Sequence, residues 1–233
     1  MAWQTGVVSD RGRVRTNNED SVYINPEQGI FLIADGMGGH NAGEVASGLA
    51  VDAISTFLLN ATPDALEKAV ENANRIIYER SRHSPELYRM GTTIVAAVIA
   101  GTKLFLAHVG DSRAYLLEAD RLQRLTEDHS LIYQMIKSQQ ISEAEASIDP
   151  RRGILLRALG TEEHIEVELH EYEYRGEPLL LCSDGLTDML TDSEIEAVLR
   201  AGGTPQETCE QLKQRANEMG GADNISAILV KGV

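Results

Sequence analysis

Four aspartates stand at the ends of apolar, strand-like runs, and no other feature constrains this chain as tightly. IFLIAD stops at Asp35, LFLAHVGD at Asp111 and LLLCSD at Asp184, while Asp223 opens NISAILV. Apolar runs of this length bounded by Gly or Asp read as buried strands, so each carboxylate falls at a strand terminus. If the strands that begin at Asp20 and Asp223 run antiparallel to those that end in Asp35 and Asp184, the acids collect on one rim. Carboxylates held that close repel by several kcal/mol at an effective dielectric of about 20. A cation is therefore expected among them, and oxygen-only ligands point to a hard divalent ion, Mg²⁺ or Mn²⁺.

Composition narrows the partners. The 233 residues, 42% of them hydrophobic, are enough for one large packed domain. Thirty-six acidic residues against 21 basic ones give a net charge of −15, which disfavours a nucleic-acid backbone as ligand. No apolar stretch approaches the roughly 18 residues that span a bilayer. MAWQTGVVSDRGR does not read as a signal peptide. No membrane partner and a cytoplasmic location are the expectation, with a monomer as default. Cys182 lies in a strand and Cys209 in a helical pattern, so both read as core thiols outside any disulfide framework.

Along the chain, residues 3–9, 20–25 and 30–35 read as strands, followed by a helix near 43–60 whose Val45, Leu49, Ala53, Ile54, Phe57 and Leu58 share a face. Thr62 as N-cap and Pro63 at the first helical position open a second helix to about 82, with Leu66, Ala69, Val70, Ala73, Ile76 and Ile77 inward. Residues 92–125 are β-rich runs joined by short turns, the pattern of an antiparallel meander. A polar stretch with short helices follows at 129–152, then strands at 165–174 and 178–183, helices near 192–200 and 205–219, and a closing strand at 224–231. The order predicts an α+β fold: a central β-sandwich of two antiparallel sheets flanked by pairs of helices, four layers αββα. No linker or repeat divides it, so residues 1–233 are expected to form one domain.

Asp35-Gly36-Met37-Gly38-Gly39-His40 alone reads as a tight turn between strand and helix, since Gly supplies positive φ cheaply. It is no nucleotide-binding loop, because no Gly-Lys-Ser/Thr follows. It is joined, however, by RTNNED at 15–20, GTT at 91–93, GDSRAY at 110–115, TEDHS at 126–130, LLLCSDGLTD at 179–188 and GADNIS at 221–226. These segments, in this order and across nearly the whole chain, resemble the metal-dependent serine/threonine protein phosphatases of the protein phosphatase 2C (PPM) family, compact bacterial type.

The resemblance implies roles position by position. Asp35 matches a carboxylate that bridges two metals, the Gly36 carbonyl binds one of them, and Asp184 and Asp223 complete the other's shell. Asp111, with Asp184, matches a weaker third site. Glu19 and Asp20 match acids that hold metal-bound waters, and Asn224 orients Asp223 without direct chemistry. Arg15 forks onto phosphoryl oxygens, and His40 protonates the departing seryl or threonyl oxygen. On the residues alone plainer readings stay open: a surface arginine for Arg15, a capping or packing histidine for His40, a turn residue for Asp111. His108 reads as structural and His129 as part of a helix cap; His83, His164 and His170 lack metal-ligand spacing.

Residues 130–160 resemble the family's mobile flap beside the metal cleft. Gly153 stands where many members carry Asn or Ser, which weakens the expected third site. Arg151 and Arg152 are candidates to meet acidic or phosphorylated substrate flanks. The implied reaction is in-line attack of a metal-bridging hydroxide on phosphoserine or phosphothreonine, with phosphorylated proteins as substrates and a Ser/Thr kinase as the opposing partner. No Cys-x5-Arg loop supports a cysteine-dependent route. The alternative is a pseudophosphatase that binds phosphoproteins without turnover; it would normally have lost a metal carboxylate, and all the expected ones stand.

Overall fold

The computed structural model describes residues 3–38, 42–58, 63–119, 121–146 and 148–233. Two sheets face each other. The first contains, in spatial order, β1 (Trp3–Asp10), β11 (Ile225–Gly232), β10 (Leu179–Cys182), β7 (Arg113–Glu118) and β8 (Arg121–Arg124). The second runs β2 (Asp20–Asn25), β3 (Ile30–Met37), β5 (Ile94–Ala100), β6 (Lys103–Val109) and β9 (Glu168–Glu173), with the two-residue β4 (Gly91–Thr92) paired to the end of β3. Neighbouring strands are antiparallel throughout. Helices α1 (Ala42–Phe57) and α2 (Pro63–His83) cover the second sheet. The first sheet is covered by α6 (Asp192–Ala201) and α7 (Pro205–Glu218), each opened by a threonine capping box, at Thr191 and Thr204.

Four layers explain why the central strands are apolar on both faces. Phe31, Ile33, Val95, Ala97, Leu179, Leu181 and Ile228 pack between the sheets. Their neighbours Leu32, Ala34, Ile94 and Ala96 turn outward to α1 and α2, and Leu180, Cys182 and Ala227 to α6 and α7. With a side-chain period of two, a strand covered on both sides has no polar face left to show. Cys182 and Cys209 are free, buried thiols in β10 and α7, and burial pushes both up to about 12.

Several expectations need correction. The 92–125 block is no single meander: β5 and β6 form a hairpin in one sheet, and at Gly110 the chain crosses so that β7 pairs with β10 in the other. A short glycine turn serves a hairpin and a change of sheet equally well, so the sequence does not distinguish them. Gly110 has φ 110, and a Cβ there would lie 2.6 Å from the Thr93 side chain. The buried face of α1 is also displaced from the predicted one. Ala42, Ala46, Ala50, Val51 and Ile54 are buried with Ser47, whereas Val45, Leu49 and Ala53 are only partly buried and Phe57 is 42% exposed. The large apolar residues suggested one stripe, but the small ones allow close approach to β3. In α2 the predicted inward residues are buried except Ile76, which is half-buried. The Thr62 cap lies outside the described residues.

The packing of α1 gives a direct test by urea denaturation. Ala50→Leu should overpack the helix–sheet layer and cost about 1–3 kcal/mol, whereas Phe57→Ala should cost less than about 1 kcal/mol. The reverse order would place the other face of α1 on the sheet.

Candidate metal centre and active site

Strand register brings the acids together. Asp20 and Asp35 are direct cross-strand partners in the second sheet. In the first sheet β10 and β11 pair Cys182 with Ala227, so Asp184 just beyond one and Asp223 just before the other reach the same edge. Asp111 lies on the crossover between the sheets. Two acids sit differently from expectation. Asp35 is within β3, because pairing of Gly36 and Met37 with β4 carries the strand on to Met37. Asp184 opens a one-turn helix, α5 (Asp184–Thr187), after Ser183.

Residues of the recognised motifs fix the backbone that carries these acids. The Asp35 carbonyl accepts from the Thr93 N–H at 2.9 Å and the Thr92 hydroxyl at 2.8 Å. The Asp35 N–H donates to Thr93 Oγ1 at 3.0 Å, and Thr93 Oγ1 is 2.7 Å from Ser112 Oγ. The two threonines of GTT thus hold both backbone polar groups of Asp35 and link them to the GDSR turn. Glu19 holds the other side: its carbonyl accepts from the Gly36 N–H at 3.1 Å and the Ser47 hydroxyl at 2.6 Å. A Cβ at Gly36 would stand 2.1 Å from the Gly43 carbonyl oxygen, so the start of α1 can rest on β3 only with glycine there. Between the sheets, Ser183 Oγ donates to Asp20 Oδ2 at 2.8 Å.

The cost of the arrangement is electrostatic. Burial, then the charges of Asp20, Asp184 and Asp111, push the Asp35 carboxyl well above its usual range. Burial and the charges of Asp111, Asp188 and Asp223 do the same to Asp184. Burial raises Asp20 to about 6 against hydrogen bonds from Ser226 and Ser183, and with Asp223 also raising it. Asp111 rises to about 7 through burial and Asp128, with Arg113 opposing. Asp20 Oδ1 and Asp184 Oδ1 are buried with no hydrogen-bond partner among the described residues. Unpartnered carboxylate oxygens that repel one another, with backbone locked behind them, fit a divalent hard cation.

Arg15 lies on the exposed loop between β1 and β2 and donates from Nη2 to Asp223 Oδ2 at 2.6 Å. Asn224 holds Asp223 through its backbone N–H and does more with its side chain. Asp223 Oδ1 accepts the Asn224 N–H at 2.8 Å, while the Asn224 side chain staples the Arg15 loop, accepting from the Glu19 N–H at 2.8 Å and donating to the carbonyls of Arg11 and Asn17. The partners lie some 200 positions away, which no local pattern reveals. His40 lies outside the described residues.

The family model described as protein phosphatase 2C matches residues 11–229. The chain belongs to the protein phosphatase 2C family. The serine/threonine phosphatase stp of Listeria innocua is 43% identical over 235 residues, 96% of this chain and 93% of that protein. The crystal structure of the Mycobacterium tuberculosis serine/threonine phosphatase PstP/Ppp matches with a TM-score of 0.92 at 36% identity, covering 99% of both chains. The catalytic domain of PstP in complex with two manganese ions matches at 0.91, also with 36% identity, over 98% of this chain and 97% of that one.

Within this phosphatase 2C fold, residues 130–160 hold α3 (Leu131–Lys137) and α4 (Glu143–Ala146) and are tied back by bridges from Ser130 to Leu155 and from Thr92 to Leu159. Both candidate flank-binding arginines there are engaged within the chain: Arg151 pairs with Asp149 at 2.8 Å and Arg152 with Asp188, next to α5. Ser130, not His129, caps α3, accepting the Tyr133 N–H. His129 instead clasps Gly110: its N–H donates to the Gly110 carbonyl at 2.7 Å, and its ring Nδ1 accepts the Gly110 N–H at 3.1 Å. That contact leaves the proton on Nε2, which donates to Glu168 Oε2 at 2.9 Å. With the His108 ring tilted against that of His129 at 4.7 Å between centres, the trio with Glu168 resembles a metal site, but a metal on Nε2 would require the ring to give up its Gly110 bond. The sequence signal for this role was the TEDHS motif itself, without any indication of its partner.

The acid cluster has a consequence for metal-stripped protein. A carboxyl whose folded pKa is raised stabilises the fold most below its unfolded value of 3.8, and that stability is lost as pH climbs through the folded value. For Asp20 alone, moving from 3.8 to about 6 is on the order of 3 kcal/mol. In chelator, the contribution of these acids should make thermal stability fall between about pH 4 and pH 7, from the ordinary carboxylate value up to the raised values of Asp20 and Asp111. Mn²⁺ should restore it, most at the higher pH, and Asp35→Asn should flatten both responses. A melting temperature indifferent to Mn²⁺ at pH 8 would argue against a cation site.

Proposed function

We propose that this chain hydrolyses phosphoserine and phosphothreonine in proteins at a metal centre held by Asp35, the Gly36 carbonyl, Asp184 and Asp223. The single observation that carries the site is the convergence of unpartnered, mutually repelling carboxylates from two sheets onto one rim. The activity rests on the relatives: the chain is a metal-dependent serine/threonine protein phosphatase, as the phosphatases stp and PstP and the manganese complex support.

Mn²⁺ or Mg²⁺ held by these carboxylates would neutralise phosphoryl charge and lower the pKa of water bound there. The residues do the rest. Asp35 feels the charges of Asp20 in its own sheet and of Asp184 at the edge of the other, and would serve the ions on both sides. Arg15 keeps guanidinium N–H groups beyond its bond to Asp223, and these can fork onto phosphoryl oxygens that arrive beside the acids. Glu19 and Asp20 are assigned to hold waters around the ions; Asp20 has the buried, unpartnered Oδ1 for it. His40 is the assigned donor to the departing alkoxide oxygen. Asp111 and Asp184 are assigned a weaker third ion. Around Gly153 a Cβ would meet nothing within 4 Å, so the Asn or Ser it replaces could be restored without strain.

We read residues 1–233 as one catalytic unit with its flap at 130–160, acting as a monomer in the cytoplasm opposite a Ser/Thr kinase. Two free cysteines favour a reducing compartment. Among the described residues no helix is long and apolar enough to cross a membrane. The silent-binder alternative gains nothing, since every expected carboxylate is present.

Phosphate release from a phosphothreonine peptide, measured on chelator-stripped protein titrated with Mn²⁺ and Mg²⁺, tests the assignment. Asp35→Asn should lower turnover by about 10³-fold or more while the protein stays folded, and Arg15→Ala should lose about 10²-fold in kcat/KM. Metal-independent release, or full activity in Asp35→Asn, would remove the metal-centre assignment.

A further inference from the structure

Past Asp35, β3 continues to Met37, and beside Met37 opens a concavity of 670 Å³ that the catalytic assignment does not use. Its walls include Tyr78 and Arg82 from α2, Tyr88 and Arg89 from the turn that follows, and Gly160 and Thr161 where the flap ends.

Two features make it more than a surface dip. The first is charge. In this chain of net charge −15, the two arginines of the flap, Arg151 and Arg152, are held by carboxylates. Arg82 and Arg89 instead rest on tyrosines: Arg82 lies 5.5 Å from the Tyr78 ring centre and donates to its hydroxyl at 2.8 Å, and Arg89 lies 5.6 Å from the Tyr88 ring centre. Among the described residues neither guanidinium has a carboxylate within 4 Å; Glu163 acts on Arg82 only at longer range. These tyrosine contacts occupy no carboxylate and leave further guanidinium N–H groups for an oxyanion. The second is backbone strain. Arg89 adopts φ 63, a left-handed conformation that is uncommon for a residue other than Gly, Asn or Asp, and Ser81 Oγ holds it there by accepting the Arg89 N–H at 3.0 Å. That conformation aims Arg89 into the concavity beside Arg82.

Building on the phosphatase reading, we propose that this concavity receives the substrate segment beside the scissile phosphoresidue, and that Arg82 and Arg89 select an anionic side chain in it. Met37 is two residues from Asp35, about 7 Å along the strand. An extended peptide covers about 3.3–3.6 Å per residue, so an anionic group some two to four positions from the scissile residue reaches the arginines. The anion is a carboxylate or a second phosphate; both suit a guanidinium fork. The role expected of Arg151 and Arg152 thereby falls to a different pair, one not consumed by internal ion pairs.

The test compares kcat/KM of the Mn²⁺-loaded enzyme on phosphothreonine peptides carrying Glu, phosphoserine, Gln or Lys two to four positions away on either side. Wild type, Arg82→Gln, Arg89→Gln and the double variant are measured beside p-nitrophenyl phosphate, which is too small to reach the concavity. Wild type should favour the better of the Glu and phosphoserine peptides over the Gln peptide by about tenfold, mainly through KM. The difference between those two peptides identifies the anion. In the double variant the preference should shrink to within about twofold, with p-nitrophenyl phosphate turnover retained. An undiminished preference in the double variant, no preference in wild type, or an equal loss on every substrate would overturn the proposal. Failure of wild type on p-nitrophenyl phosphate and all peptides would instead sink the phosphatase reading, and this one with it.

Discussion

Repulsion among carboxylates is the constraint on which the rest of this structure depends. Asp20 and Asp35 belong to one sheet, Asp184 and Asp223 to the edge of the other, and Asp111 to the crossover that joins them. The two sheets are held together by apolar packing in their middle, and at this rim the acids push them apart. The bond from Ser183 to Asp20 is one direct tie across the gap, and that from Glu19 N–H to Asn224 Oδ1 is another. A cation there would act as a further tie, so metal binding and the closure of the sandwich are one equilibrium.

The surrounding polar network follows from that stress. Buried acids could relieve repulsion by turning away or by letting their backbone shift, and either would scatter the ligand set. Thr92 and Thr93 leave the Asp35 backbone no such freedom, and Asn224 immobilises the loop that ends at Glu19. His129 does the same for the turn before Asp111. These residues need touch neither metal nor substrate to matter, because the energy of a preorganised site lies in preventing relaxation.

Most of the fold was legible from apolar runs and their boundaries, since strands covered on both faces leave unbroken hydrophobic segments. The acids were legible for the same reason: a charge that ends such a run has few places to go. What escaped were features set by partners distant in sequence. The orientation of α1 depends on how closely Ala46 and Ala50 approach β3, and small residues carry little weight in a hydrophobic pattern. Asn224 looked like a local turn residue, although its partners lie in the 11–19 loop. The change of sheet at Gly110 turns on packing against Thr93, which a glycine in the sequence does not announce.

Charge also separates the two kinds of arginine at the cleft. Arg113 and Arg124 converge on Asp128 behind the acid cluster, where the ion pair with Arg113 is largely buried and serves the scaffold. Arg15 and the pair Arg82 and Arg89 lie at the surface, where a long-range field of net charge −15 repels an anionic substrate. Such a field is screened within about 8–10 Å at ordinary ionic strength. Beyond that distance the protein offers a phosphoprotein no electrostatic attraction, and within it guanidinium groups that keep N–H groups to spare contribute, Arg15 beyond its bond to Asp223 and the pair Arg82 and Arg89. Recognition by this enzyme therefore depends on short-range contacts made after encounter, and discrimination among substrates belongs to the few residues that border the acids rather than to the surface as a whole.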